Sequence, residues 1–110
     1  MKKFLVLYKA DIASFEAMMK TTTPERRKAF MDAWGHWMGA HKAGIVDGGA
    51  PLGRTNRVDG HGVTEAKNDI GGYSIVQAAD AAGATAMFAK DHPHLQMPGA
   101  WIEVVEMMPM

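Results

Sequence analysis

The alternation of apolar and polar positions changes period several times along the chain, and each change marks an element. Phe4-Leu5-Val6-Leu7-Tyr8 is an unbroken apolar run, the pattern of a strand buried on both faces. From Asp11 to Lys20, the residues Ile12, Phe15 and Met19 recur at helical spacing behind an aspartate able to cap the first turn, so a short helix is predicted. Thr23-Pro24-Glu25 then combines a threonine cap, a proline at the first helical position and a carboxylate facing the positive end of the helix dipole. This second helix should run to about Ala43, with Lys42 in its last turn and Gly44 closing it in the left-handed conformation. Its core stripe is Phe30, Trp34, Trp37, Met38 and His41, while Ala33 and Ala40 allow close approach to a sheet.

Ile45 to Gly49 reads as a second strand that ends in Ala50-Pro51-Leu52-Gly53. Arg54 to Val58 and Val63 to Thr64 bracket Asp59-Gly60-His61-Gly62, a hairpin turn whose glycines permit positive φ. Gly72 to Gln77 is the next strand, Asp80 caps a small-residue helix with Ala84, Met87 and Phe88 on its apolar face, and Trp101 to Met107 is the last strand. Without its decorations this order is the split βαβ pattern: an α+β, ferredoxin-like domain with an antiparallel sheet and helices on one face. The other face of such a sheet is left open. Two sheets packed face to face would cover it and enclose a cavity, so a homodimer is expected, with Tyr73 or Ile75 at the interface or in the core beneath it.

A chain of 110 residues suits a single domain spanning 1–110. Lys and Arg number 12, as do Asp and Glu, and neither sign forms a block able to follow a phosphate backbone or an anionic membrane, so neither nucleic acid nor membrane is an expected partner. The start Met1-Lys2-Lys3 with its apolar run mimics a signal peptide, but the run breaks at Lys9 and Asp11 and no small-residue cleavage site follows. A cytoplasmic protein is therefore expected. Ten methionines suggest an adaptable interior, and Met107-Met108-Pro109-Met110 looks like a tail laid over an apolar groove.

The chemistry concentrates at Asp91-His92-Pro93-His94-Leu95. Proline pushes the preceding residue towards extended geometry, in which residues i and i+2 point the same way, so His92 and His94 are expected to face one pocket. Two groups that exchange protons near neutral pH, set on a stiffened connection, look like a site; pinning the loop through backbone carbonyls is the alternative. Asp47 lies in an otherwise apolar strand ending and must meet water, a backbone donor or a cation, serving either a pocket or a turn. Tyr73 and Trp101 are strand aromatics able to line a cavity beside Pro51. His41 reads as a partly buried helix-end histidine, His36 as a surface partner of Asp32, and His61 as a solvated turn tip. Phosphate loops, a serine elbow and cysteine chemistry are absent from the sequence. A metal would need Asp47, Glu103 or Glu106 beside the two histidines, and neither metal nor cofactor is expected.

Taken in order, Phe4 to Tyr8, Val46-Asp47-Gly48-Gly49-Ala50-Pro51-Leu52, Gly72-Tyr73-Ser74-Ile75, His92-Pro93-His94-Leu95 and Pro98 to Val104 resemble the YCII-related family of the dimeric α+β barrel superfamily. The resemblance covers nearly the whole chain. It implies a ferredoxin-like protomer that pairs through its sheets, a small-molecule cleft near the helix–sheet junction and, in better-understood relatives, a histidine–aspartate pair moving protons on small unsaturated acids or lactones. Asp47 matches the aspartate of that pair, but Ala33 stands at the position of its histidine, so His92, His94, His36 or His41 would have to supply the imidazole. The DGPF-type branch carries Pro-Phe after Asp-Gly in the hairpin, where this chain has His61-Gly62. Two functions follow as expectations. One is a cofactor-free isomerase or lyase with Asp47, His92 and His94 as catalytic residues and Tyr73, Pro51 and Trp101 lining its pocket; the other is a non-catalytic dimer that binds a small ligand or serves an accessory role.

Overall fold

A computed structural model describes residues 1–90 and 92–109, so Asp91 of the histidine motif and Met110 of the methionine tail lie outside the described residues. In chain order the elements are β1 (Lys2–Ala10), α1 (Ile12–Thr21), α2 (Pro24–Ala40), β2 (Ile45–Pro51), β3 (Thr55–Asp59), β4 (Gly62–Ala66), β5 (Ile70–Ala78), α3 (Ala81–Ala86) and β6 (Ala100–Glu106). Four strands form one sheet in the order β2-β5-β1-β6, antiparallel throughout, which is the ferredoxin-like order, while β3 and β4 pair as a separate hairpin.

β1 sits at the centre of the sheet and corrects the expectation drawn from its apolar run. Phe4, Val6, Tyr8 and Ala10 are buried, whereas the alternate residues Leu5, Leu7 and Lys9 are only half-buried. The helices cover one face alone, so period-two alternation appears in burial even though both sets include leucine and valine. β5 repeats the pattern, with Gly72, Ser74 and Val76 buried and Tyr73 and Ile75 half-buried. Register places Leu7 between Tyr73 and Glu103, and Leu5 between Ile75 and Val105, which together make up the open face.

The cap chemistry operates as the sequence predicts. Asp11 Oδ2 accepts from the Ser14 N–H at 3.0 Å, and Thr23 Oγ1 accepts from the Arg26 N–H at 3.2 Å with Pro24 next to it. α2 stops at Ala40, earlier than expected, and a 3-10 turn over Lys42–Gly44 follows. Gly44 does not take the left-handed conformation. It supplies space instead: a Cβ there would lie 2.9 Å from the Met87 methyl, just as one on Gly48 would lie 2.8 Å from the Met38 methyl. Trp37 anchors α2, buried and donating through Nε1 to the Met87 carbonyl at 3.2 Å. Phe4, Val6, Tyr8, Trp37, Val76, Ala84 and Phe88 make the core, flanked by Trp34, Met38, Ile45, Met87, Ile102 and Val104. Burial of each large apolar member contributes roughly 1.5–3 kcal/mol. Of the described part of the methionine tail, Met107 continues the pairing through its N–H to the Lys3 carbonyl at 2.9 Å, and the side chains of Met107 and Met108 are exposed. Among the described residues no helix is long and apolar enough to cross a membrane.

Candidate functional site

Proline acts on the residue before it, as expected, and not beyond. His92 is extended (φ −68°, ψ 131°), but Pro93–Gln96 winds into a 3-10 turn, correcting the extended connection read from the sequence. The turn still directs both imidazoles onto the helix-covered face of the sheet, because His92 and His94 each pack against the ring of Tyr8. Gly99, at φ +72°, then lets the chain swing into β6.

His92 is fully buried. Its ring stacks on Tyr8 at 5.4 Å between centroids, meets Trp34 and Trp37 edge-on at 4.6 and 4.5 Å, and approaches Phe88 at 5.5 Å. Burial lowers its pKa from 6.5 to about 4, with further contributions from the neighbouring His94 and His41. The ring is therefore neutral at pH 7. Its Nδ1 accepts from the His94 backbone N–H at 3.1 Å, which places the remaining proton on Nε2. Among the described residues that Nε2–H has no hydrogen-bond partner. His94 is also buried and also held below its ordinary pKa by burial, opposed by the carbonyls of Lys9 and Trp101; its Nε2–H donates to the Lys9 carbonyl at 2.7 Å.

Tyr8 joins this cluster to the far edge of the sheet. Its hydroxyl lies 2.9 Å from Ser74 Oγ, and Ser74 donates to the Gly48 carbonyl at 3.1 Å. Since the serine has a single proton, the chain of bonds runs from Tyr8 through Ser74 to Gly48. Burial raises the Tyr8 pKa, and the bond to Ser74 opposes it. Sequence reading missed both residues as parts of the site. The signal was present in the alternation, which puts Tyr8 on one face with Phe4 and Val6, and Ser74 on one face with Val76.

Asp47 is placed elsewhere. Its Oδ1 accepts from the Gly49 N–H at 2.8 Å, closing an Asx turn in which Gly49 has φ +74° and passes so close to the Tyr73 carbonyl that a Cβ would lie 1.7 Å from it. Its register partner is Ile75 on the open face, and β2 is two strands from β1, roughly 10 Å. Neither imidazole hydrogen-bonds to it, so the expected convergence of Asp47 with a histidine does not occur. The carboxylate satisfies itself on its own backbone, and the sheet separates it from the rings.

The three expected lining residues are likewise dispersed. Tyr73 lies on the open face opposite Leu7 and Ala50, and Pro51 is exposed at the end of β2. Trp101 lines a cleft of about 530 Å³ with Asp11, Ile12, Asn68 and Asp69. Beside it Lys9 Nζ bridges Asp69 and Glu103 at 3.1 Å each, and Trp101 Nε1 donates to Glu103 at 2.8 Å. Of the remaining histidines, His41 donates through Nδ1 to the Trp37 carbonyl at 3.0 Å, and His61 is exposed at its turn. His36 is exposed, and Asp32 pairs with Lys28 at 3.1 Å in place of it. Among the described residues no three histidine or acidic side chains are grouped to hold a metal.

No family model matches the sequence, and no curated protein is similar to it in sequence. In three dimensions the chain is similar to 5-chloro-2-hydroxyhydroquinone dehydrochlorinase (TftG) from Burkholderia phenoliruptrix AC1100, solved in complex with 2,5-dihydroxybenzoquinone. The TM-score is 0.51 at 18% identity, and the match covers 92% of this chain and 90% of that one. The likeness bears out the fold: an α+β, ferredoxin-like antiparallel sheet with helices.

Proposed function

We propose that this is a cytoplasmic, single-domain homodimer related to the YCII family, which holds a small oxygen-bearing molecule, such as an unsaturated acid, lactone or related ring, between its sheet and α2. The observation that carries this reading is the fully buried Nε2–H of His92, without a hydrogen-bond partner among the described residues and packed among aromatic rings. Native interiors leave few polar atoms unsatisfied, and each one calls for a specific explanation. Asp47 bonded to its own turn favours binding without catalysis over a histidine–aspartate reaction. The structural neighbour holds a dihydroxybenzoquinone, which fits a small cyclic ligand for this fold.

A second reading, isomerase or lyase chemistry by proton transfer, draws support from the Tyr8–Ser74–Gly48 chain, which runs from the histidine cluster to the strand that carries Asp47. A thermal-shift screen against small carboxylates and lactones tests the binding reading, since a ligand that binds the native state raises the melting temperature. Asp47→Asn then separates the two. Binding reads out as a shift kept in the variant with no exchange of substrate protons for deuterium in D2O. Catalysis reads out as deuterium incorporation in the wild type that the variant loses.

A further inference from the structure

We infer that the end of the sheet where β1 and β2 finish and β5 and β6 begin carries a second site, apart from the histidine cluster, for a free tripeptide held by its two charged ends. Two clefts open there and share one wall. The first, of about 530 Å³, is lined by Asp11, Ile12, Asn68, Asp69 and Trp101; the second, of about 330 Å³, by residues 52–56, Asn68 and Ile70. Clefts of this size suit small molecules. Asn68 is the shared wall and is fixed from both sides, its Nδ2 donating to Thr55 Oγ1 at 2.9 Å and its Oδ1 accepting from the Ile70 N–H at 2.9 Å. What lies to either side of it selects the ligand.

The two lobes have opposite charge. Asp11 and Asp69 line the first, and the ammonium set against them, that of Lys9, is shared between Asp69 and Glu103 at 3.1 Å each. The neighbouring Lys67 turns to Glu16 at 3.7 Å. Asp11 takes both Ser14 bonds on Oδ2 and Asp69 meets Lys9 through Oδ1, so each carboxylate keeps an oxygen with no bond among the described residues. An entering ammonium gains there, and an anion is repelled. Trp101 gives this lobe a fixed flat side, its Nε1 bonded to Glu103 at 2.8 Å and Lys9 Nζ 5.7 Å from its ring centroid. In the second lobe Arg54 is the one charged lining residue, and the nearby Asp59 is taken by Arg57 at 3.5 Å. Arg54 itself forms no ion pair among the described residues, which leaves its fork of donors to match a carboxylate.

The spacing of the lobes sets the length of the ligand. Asp11 follows β1 and Arg54 follows β2, and those strands stand two places apart in the sheet, roughly 10 Å. At about 3.3–3.6 Å for each extended residue, three residues cover that distance. Ile12 and Trp101 in one lobe and Leu52 and Ile70 in the other offer apolar surface to the first and last side chains. A lone amine or a lone acid would use only half of the site.

The test is calorimetric titration of the full chain at low ionic strength with three forms of one peptide: free Leu-Gly-Leu, its N-acetyl derivative and its C-terminal amide. The free peptide should bind, and each capped form should bind about fivefold more weakly, the scale of one exposed ion pair. Arg54→Gln should weaken the free and acetylated peptides by a similar factor and leave the amide unchanged. Asp11→Asn, which keeps the helix cap, should weaken the free peptide and the amide and leave the acetylated form unchanged. Both side chains are exposed, and the exposed Lys28→Gln on α2 serves as a control that changes none of the three. If a variant fails to fold, the three peptides on the wild type decide alone. Equal binding of free and capped forms, a substitution that acts on the wrong form, or no binding of the free peptide at about 10 mM overturns the site. Tighter binding of 8-aminooctanoate, which carries the same end charges on an alkyl chain, overturns the peptide. The histidine cluster takes no part in these outcomes, so the small-ligand reading stands or falls separately.

Discussion

His92 shows how one side chain couples the site to stability. Its folded pKa of about 4 lies below the ordinary 6.5, so between those values the unfolded chain binds a proton that the folded one refuses. Stability is therefore fully present above about pH 6.5, falls as pH drops through the window, and stops falling near pH 4. At about 1.4 kcal/mol per unit the loss is at most about 3.5 kcal/mol, and His94, shifted the same way, adds to it. Urea unfolding at stepped pH values should show this slope in the wild type and a flatter one in His92→Phe. At Asp47 the expectation is milder: Asn preserves the acceptor of the Asx turn and should stay within about 0.5 kcal/mol, while Ala should cost about 1 kcal/mol. Gly49→Ala should instead prevent folding or cost several times more, because the Cβ would collide with the Tyr73 carbonyl. Circular dichroism melts separate these cases. The sequence showed that His92 and His94 belong together, since proline orients its predecessor. It did not show that a sheet would stand between them and Asp47, because which edge a strand takes is a tertiary fact.

At the level of elements, local chemistry was legible and boundaries were not. Thr23 and Asp11 cap as their residue types demand, and Thr23→Ala should lower stability by about 1 kcal/mol in chemical denaturation. The end of α2 was misjudged because Gly44 has a packing role, filled by the Met87 methyl, that resembles a helix stop in sequence. The β3–β4 hairpin was equally readable, with Asp59 Oδ1 accepting from the His61 N–H at 2.8 Å across its turn. Its isolation was not. Val58 and Val63 oppose each other and are 74% and 67% exposed, and a lone two-stranded ribbon is marginal in water. Its amides should exchange with deuterium well before those of β1 and β5; protection equal to that of the central strands would mean that another surface covers the hairpin.

The whole molecule is a plate, 44 × 38 × 19 Å, with helices on one side of the sheet and the other side bare. Leu5, Leu7, Tyr73 and Ile75 are half-buried there, and Val105 is 45% exposed. Covering that row with a second copy is the simplest way to remove it from water. Sedimentation at micromolar concentration should give a dimer, and Leu7→Glu, which sets a carboxylate beside Glu103 and Tyr73, should give a monomer. A wild type that sediments as a well-folded monomer would leave the open face to some other partner.

The two methyls that occupy the room left by Gly44 and Gly48 tie the beginning of β2 to α2 and α3 by shape alone. Such pairs should drift together over evolutionary time. A descendant or cousin of this chain that gains a side chain at position 44 or 48 should carry a shorter residue than methionine at 87 or 38. In the laboratory the pairing is a prediction of non-additivity: Gly44→Ala and Met87→Ala should each destabilise, and the double substitution should cost less than their sum.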